Sequence, residues 1–230
     1  VDTSAGVRLA REFRALESST GATSSAVGAL FSVAALDPDY RTLWAPTTRV
    51  RSVRAADDAL EVDLDIPAEP LSGPAELAVQ QLVFTATAAA ASSGEFDAGL
   101  PVRILVDGEP AGTRIGGLDL SEPVSRDDQL SVRQLVQVNN PADGSTVDAP
   151  VRVDGEAAVF EATLVWEVRA DGSVVDSGTA NAAECCRFAP FSFDVDLAPG
   201  TYEIEVSESD PSGGAEGHPP MSDTKTFTVE

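Results

Sequence analysis

Reactive side chains are sparse in this sequence, and their spacing supports few kinds of chemistry. His218 is the only histidine, and it lies in a loop rich in glycine and proline. A Ser-His-Asp triad needs a positioned histidine, and no Gly-x-Ser-x-Gly turn accompanies this one. Glu61, Asp63 and Asp65 alternate along one strand face, which is more typical of a solvated surface than of a glycosidase carboxylate pair. We therefore predict that the protein is not an enzyme.

The two cysteines, Cys185 and Cys186, are adjacent in the sequence. A vicinal disulfide, an intermolecular bridge or two free thiols are all compatible with this spacing. No Cys-x-x-Cys pair and no Cys/His spacing is present, so we expect no zinc site.

Acidic residues make calcium the best metal candidate, because calcium binds several carboxylate oxygens. None of the acidic pairs matches an EF-hand loop, and such pairs are more often plain turn residues. We therefore expect no cofactor, with calcium as the alternative. The pairs are Asp37/Asp39, Asp57/Asp58 and Asp127/Asp128.

The charge of the chain limits its partners. Its 38 acidic and 15 basic residues give a formal net charge of -23. Such a chain lacks the basic surface that nucleic acids and anionic membranes require. No apolar run reaches the roughly 18 residues of a membrane span.

The stretch over residues 136–168 carries the clearest structural signal. Pro141-Ala142-Asp143-Gly144 predicts a turn, and Pro150 opens a strand. Leu164, Trp166 and Val168 then alternate with polar neighbours, which indicates a half-buried strand.

Three side chains of this stretch invite a functional interpretation. We predict that Phe160 and Trp166 pack in the core, because large aromatics usually do. Glu161 has apolar neighbours, so we predict that it caps a loop or accepts backbone N–H hydrogen bonds.

The first half of the chain mixes helices and strands. Hydrophobic periodicity predicts a helix over 26–36, a hairpin over 49–54 and 60–66, a long helix over 75–91 and a strand over 102–106. The order predicts a mixed α/β sandwich domain over residues 1–134.

The second half, residues 135–230, is predicted to be all-β. Turn signals recur roughly every 8–12 residues, as in a β-sandwich of about seven strands. Gly178 is predicted to interrupt the strand that begins at Val174, and Tyr202, Ile204 and Val206 share one face of another. The whole chain is therefore predicted to be α+β, with an immunoglobulin-like sandwich second.

Motif residues in both halves carry a family resemblance. In the second half they are Gly155, Phe160, Glu161, Trp166, Pro190 and Phe191. In the first half they are EVDLD at 61–65, LAVQQLVFTAT at 77–87 and VRILVDG at 102–108. Residues 138–229 resemble the immunoglobulin-like domain of bacterial spore germination proteins. Residues 7–130 resemble the sporulation and spore germination (GerMN) domain.

The resemblance implies an extracytoplasmic, lipid-anchored protein, similar to actinobacterial envelope lipoproteins, with a removed N-terminal anchor. It implies no reaction, and it favours a strand around residues 9–13, where propensity alone favours a helix. The function that we predict is a non-catalytic protein-protein interaction or complex-building module, linked to sporulation, germination or the cell wall. The alternative is a cell-wall glycan-binding module.

Overall fold

The computed structural model describes residues 1–16, 21–56, 58–97, 99–210 and 220–230. The chain forms two compact units. The sandwich unit comprises Val1–Phe13, Ala35–Tyr40 and Arg133–Glu230, and the α/β unit comprises Arg14–Ala34 and Arg41–Val132. The structure confirms the predicted α+β class, because the α-helices of the described residues all precede residue 133, and the described residues after it form strands and one 3-10 turn.

The sandwich unit is built from three separate segments of the chain. The predicted division into two domains at a single boundary near residue 134 does not include the first two of these segments. The backbone N–H of Gln134 donates to the carbonyl oxygen of Leu9 at 2.9 Å. The carboxylate of Glu12 accepts the backbone N–H of Asp37 at 2.9 Å. These hydrogen bonds join segments far apart in the sequence, so no local composition shift predicts them.

The first residues form less regular structure than the resemblance implies. Strands β1 (Asp2–Thr3) and β2 (Gly6–Val7) form a short antiparallel pair, and Leu9 makes an isolated parallel bridge. The predicted strand over residues 9–13 is wrong beyond Leu9. There Arg11 instead forms an ion pair with Glu156 at 2.7 Å, which holds the segment by side chains and not by a backbone ladder.

The α/β unit contains one four-stranded sheet. β3 and β4 pair antiparallel, as the predicted hairpin requires, and β4 and β5 are parallel. The strands, in their order across the sheet, are β3 (Arg49–Ala55), β4 (Leu60–Asp65), β5 (Val102–Val106) and β6 (Glu109–Pro110).

Strand β4 shows why its sequence alternates. Leu60, Val62 and Leu64 are fully buried, which removes apolar surface from water. On the other face, Glu61 pairs with Arg54 at 2.6 Å and Asp65 lies 3.7 Å from Arg51. Asp63 accepts the backbone N–H of Gly108 at 3.0 Å. The three carboxylates thus serve pairing and turn formation.

Helix α1 (Ala22–Ser32) begins and ends about one turn earlier than predicted. The carboxylate of Glu95 accepts the backbone N–H of Thr23 at 2.9 Å, so a distant side chain caps the helix. Val33 then adopts an extended conformation and ends it. The sequence prediction relied on local Ser and Thr residues as the helix cap and therefore placed the start of the helix too late. The capping side chain instead comes from another part of the unit.

Helix α2 (Ala75–Ser93) confirms the predicted long helix, and Gly94 ends it in the left-handed conformation at φ 67°. The indole of Trp44 donates to the carbonyl oxygen of Ala78 at 2.9 Å and packs edge-on against Phe31. Helix α3 (Gln129–Val132) is a single turn. Among the described residues, no helix is long and apolar enough to cross a membrane.

The sandwich unit packs two sheets. Their orders are β11-β10-β13-β14-β8 and β12-β9-β7, with all neighbours antiparallel except β14 and β8. The strands are β7 (Val136–Asn140), β8 (Ser145–Val147), β9 (Val151–Ala157), β10 (Thr163–Ala170), β11 (Ser173–Asn181), β12 (Ala189–Val195), β13 (Gly200–Glu208) and β14 (Ser222–Val229).

The facing sides of the two sheets form the core, as the alternation predicts. Leu164 and Val168 of β10 and Ile204 and Val206 of β13 are fully buried. Gly178 does not interrupt β11, contrary to prediction. A Cβ at Gly178 would lie 2.6 Å from the indole of Trp166, so glycine is required for the ring to lie against the strand.

Candidate functional site

One end of the sandwich unit brings together two of the motif residues, Phe160 and Glu161, and the two cysteines. A 3-10 turn, Phe160–Ala162, leads into β10, and a loop over residues 182–188 leads into β12. The backbone N–H of Ala182 donates to the carbonyl oxygen of Ala162 at 2.9 Å, and that of Cys186 donates to Val159 at 3.4 Å. We call this surface, residues 159–162 with 182–188, the loop end.

Phe160 lies at the loop end and not in the core, contrary to prediction. Its side chain is 65% exposed, whereas the preceding Val159 is 2% exposed. The chain leaves β9 and turns before β10, so the side chain after Val159 points away from both sheets. Large exposed aromatic side chains are uncommon on isolated domains and mark binding surfaces when they cluster with other apolar groups.

Glu161 is exposed, and no hydrogen bond among the described residues is accepted by its carboxylate, so the predicted role as a loop cap or backbone N–H acceptor is wrong. Its backbone lies in the left-handed region at φ 54°, and Ala162 follows at φ 56°. This conformation costs a non-glycine residue about 1–2 kcal/mol. Two such residues in succession fix the direction in which Phe160 leaves the sandwich, at some cost in stability.

The second part of the loop end is a disulfide. Cys185 and Cys186 are bonded to each other, and Cys186 has a positive φ of 67°. Glu184 and Arg187 form an ion pair across the bonded cysteines. The disulfide is exposed, so the loop end presents the ring of Phe160 and a disulfide on two segments that the Cys186–Val159 hydrogen bond joins.

Three of the remaining motif residues lie in the strands β9 and β12, which lead to and from the loop end. Gly155 lies in the central strand β9, where a Cβ would overlap the carbonyl oxygen of Gln137 and lie 2.7 Å from the ring of Phe191. Phe191 is buried, and Pro190 is exposed with its carbonyl oxygen accepting the N–H of Ala183 at 2.8 Å. These residues are therefore structural.

Trp166 is also a structural residue of the sandwich unit. Its ring is half-buried and stacks on Phe193 of the opposite sheet at 5.1 Å between centroids. Its indole nitrogen has no hydrogen-bond partner in the part of the chain that the structure describes. The aromatic pair closes one side of the core between the two sheets.

The outer face of the larger sheet carries an ionic group around Arg169. Its guanidinium contacts Glu205 at 2.8 Å and Glu203 at 3.7 Å. The hydrogen bond to Glu205 raises the pKa of Arg169. Burial alone would raise the pKa of Glu205, but hydrogen bonds from Arg169 and Ser222 lower it. These groups are partly exposed, so their contribution to stability is small.

A buried charge cluster was not predicted from the sequence. Lys225 of β14 is 4% exposed, and its ammonium donates to Asp37, to Asp223 at 2.9 Å and to the hydroxyl of Tyr40 at 3.0 Å. The Tyr40 hydroxyl donates to the same oxygen of Asp223 at 2.8 Å. The backbone N–H of Val138 donates to the other Asp223 oxygen at 2.7 Å. We call Lys225, Asp37, Asp223 and Tyr40 the lysine cluster.

Burial and the charge of Asp223 raise the pKa of Tyr40 far above its ordinary value of about 10. The Tyr40 hydroxyl therefore loses its proton at a lower pH in the unfolded chain than in the folded chain. The contribution of Tyr40 to the free energy of unfolding is fully present below about pH 10 and is lost as the pH rises further. In a Tyr202→Phe chain, we expect no tyrosinate absorbance until the sandwich unit unfolds in alkali. A Tyr40→Phe chain is the control, and ionisation of Tyr40 near pH 10 in the folded chain would contradict this account.

The described members of the predicted acidic pairs contact other groups of the protein. Asp58 contacts Arg103 at 3.1 Å, and Asp128 accepts the N–H of Leu130 at 3.3 Å in a local turn. Within the residues described, no group of three or more His, Cys, Asp or Glu side chains could hold a metal ion. Asp57 and His218 lie outside the described residues.

Each half of the chain matches one protein family. Residues 1–112 match the family described as sporulation and spore germination. Residues 135–215 match the family described as the immunoglobulin-like domain of bacterial spore germination. These matches agree with the two resemblances drawn from the sequence and with their order along the chain.

Comparison with individual proteins adds little. No curated protein matches the chain. One similar solved structure is a crystal structure of an engineered protein, 12% identical, with a TM-score of 0.33. The alignment covers 72% of this chain and 38% of that protein, so this chain spans well under half the length of the structure it matches.

Proposed function

We infer that this chain, which carries a sporulation and spore germination domain followed by an immunoglobulin-like domain of bacterial spore germination, is a non-catalytic protein-binding module of the cell envelope. Both domain types are associated with sporulation and spore germination. The proposed binding surface is the loop end, and the proposed partner is another envelope protein.

The exposure of Phe160 carries the proposal. An aromatic side chain that is 65% exposed loses nothing from the core when it enters a pocket of a partner. Aromatic anchors dominate the energy of many protein interfaces because they bury a large apolar area in one step. The left-handed residues Glu161 and Ala162 follow the ring directly and give the turn that carries it a defined backbone path.

The disulfide supports an extracytoplasmic location. Bonds between cysteines persist in oxidising compartments and are rare in the cytosol. Cys185 and Cys186 are exposed, so a reducing cytosol would reach them. We therefore propose that the chain lies outside the cytoplasm and that a lipid anchor on its N-terminal side holds it to the membrane.

The test is to remove the ring without disturbing the fold. Phe160→Ser is expected to change the free energy of unfolding by less than about 0.5 kcal/mol, because the side chain is exposed. Recovery of the partner from crosslinked native envelopes is expected to fall about tenfold or more, since hot-spot residues contribute about 2 kcal/mol. Mass spectrometry of the crosslinked products measures the recovery.

The matched control is Val175→Ser, which removes an apolar side chain that is 53% exposed near the β10–β11 turn, at the other end of that hairpin. Recovery should stay unchanged in this variant. Equal losses in both variants would contradict a binding site at the loop end. Recovery only with wall glycan, released by muramidase digestion, would replace the proposal by the glycan-binding alternative.

A further inference from the structure

The lysine cluster holds a nucleophile and an electrophile in contact inside the sandwich unit. Lys225 is the only lysine of the chain, and its side chain is 5% exposed. The carboxylates of Asp37 and Asp223 are 3% and 4% exposed. An amine and a carboxyl group that contact each other without surrounding water can condense to an amide, which is the chemistry of an isopeptide bond.

We propose that Lys225 and Asp37 form an intramolecular isopeptide bond. The Nζ atom of Lys225 attacks Cγ of Asp37, a C–N bond forms, and the C–Oδ2 bond breaks. The Oδ2 atom leaves as water with two protons, both of which come from the lysine ammonium. The product is a neutral amide in place of an ion pair, so charge and atoms balance without an oxidant or a cofactor.

Burial favours this reaction over a lasting ion pair. Two opposite charges in a water-poor interior each lose their hydration, a cost that the neutral amide product does not carry. A neutral amine is the form that can attack a carbonyl carbon. Contact between the two groups also replaces a bimolecular encounter by an intramolecular step.

Asp223 is placed to move the proton. Its Oδ1 atom accepts from the Lys225 ammonium at 2.9 Å and from the Tyr40 hydroxyl at 2.8 Å. Burial raises the pKa of Asp223, against the opposing effect of Lys225, and the hydrogen bond between the two groups gives the proton a direct path from the ammonium to this carboxylate. It can then return the proton to the leaving oxygen of Asp37. Asp223 therefore acts as a general base and acid in the proposed step.

The other oxygen of Asp37 has its own donor. The backbone N–H of Asp39 donates to Oδ1 of Asp37 at 2.8 Å. This N–H would stabilise negative charge on Oδ1 as the tetrahedral intermediate forms, and it would then bond the amide oxygen of the product. Beside the cluster lies a cavity of about 30 Å³, lined in part by Asp37, Tyr40 and Lys225, which has room for one water molecule.

The bond would tie the segment Ala35–Tyr40 covalently to the last strand, β14. The two residues are 188 positions apart, so the bond closes most of the chain into a loop. Long closed loops restrict the unfolded chain strongly. A chain exposed to the outside of the cell would thereby resist unfolding and proteolysis.

The bond is tested by intact mass and by amine counting on the folded, full-length chain. After complete reduction of the disulfide, the mass should be lower than the sequence mass by one water molecule. An amine-reactive label applied to the denatured chain should modify the N-terminus alone, because the only lysine is consumed. Fragmentation should yield one product that contains both Asp37 and Lys225.

Lys225→Arg and Asp37→Ala should both retain the full mass, since each lacks one reacting group. Asp223→Asn keeps both reacting groups and should leave a larger unlinked fraction. A wild-type chain at full mass with two reactive amines would overturn the proposal. Loss of water with two reactive amines would also overturn it, because a succinimide at a step such as Asp143-Gly144 then explains the mass.

Discussion

Replacing Lys225 by Met is expected to lower the free energy of unfolding of the sandwich unit by about 3–5 kcal/mol. The substitution keeps an unbranched side chain, one atom shorter, but leaves Asp37 and Asp223 as two buried carboxylates without a cation. Their mutual repulsion and lost hydration then act against the fold. Where the isopeptide bond has formed, its loss adds to this cost.

Hydrogen exchange of the backbone amides of β9 and β14 measures this effect within the sandwich unit alone. Thr226→Val is the matched control, because Thr226 is the exposed neighbour of Lys225 on the same strand. The control should change stability by less than about 0.5 kcal/mol. Equal stabilities of Lys225→Met and wild type would show that the cluster contributes nothing to the fold.

Gly155→Val is expected to destabilise the sandwich unit by about 3 kcal/mol or more, because its side chain would overlap two neighbours in a packed sheet. One neighbour is the backbone carbonyl of Gln137 on β7, and the other is the ring of Phe191 on β12. The ring can rotate away, but the carbonyl belongs to a strand that pairs directly with β9.

This distinction provides a second arm for the experiment. Phe191→Leu combined with Gly155→Val should recover little of the lost stability, since the carbonyl of Gln137 remains in place. Arg152→Ala, at an exposed position of the same strand, is the control and should stay within about 0.5 kcal/mol of wild type. Urea unfolding measures all four chains. A Gly155→Val chain as stable as wild type would disprove the close approach of Gly155 to the carbonyl of Gln137.

Strand patterns could be predicted from the sequence because burial imposes a period of two. Leu60, Val62 and Leu64 follow it, and so does β14, where Phe227 and Val229 point inward. The same pattern places Lys225 on the inward face of β14, so a signal for the buried lysine was present. Its partner Asp37 could not be predicted, because the contact depends on how the chain folds back.

The loop end shows a second limit of sequence reasoning. Phe160 follows the buried Val159 and has apolar neighbours, so local composition favours the core for both. Their different exposure depends on the left-handed turn at Glu161 and Ala162, and neither residue type predicts a positive φ. A binding site on a turn of this kind can be predicted only once the backbone path is known.

The most direct test of the binding function places a photo-reactive amino acid at position 160 of the full chain, in cells that produce the protein naturally. Our account predicts one crosslinked product with a defined envelope protein. The same group at position 175, where the wild-type side chain is also exposed, should give no such product. Equal products from both positions, or none from position 160, would contradict a protein-binding surface at the loop end.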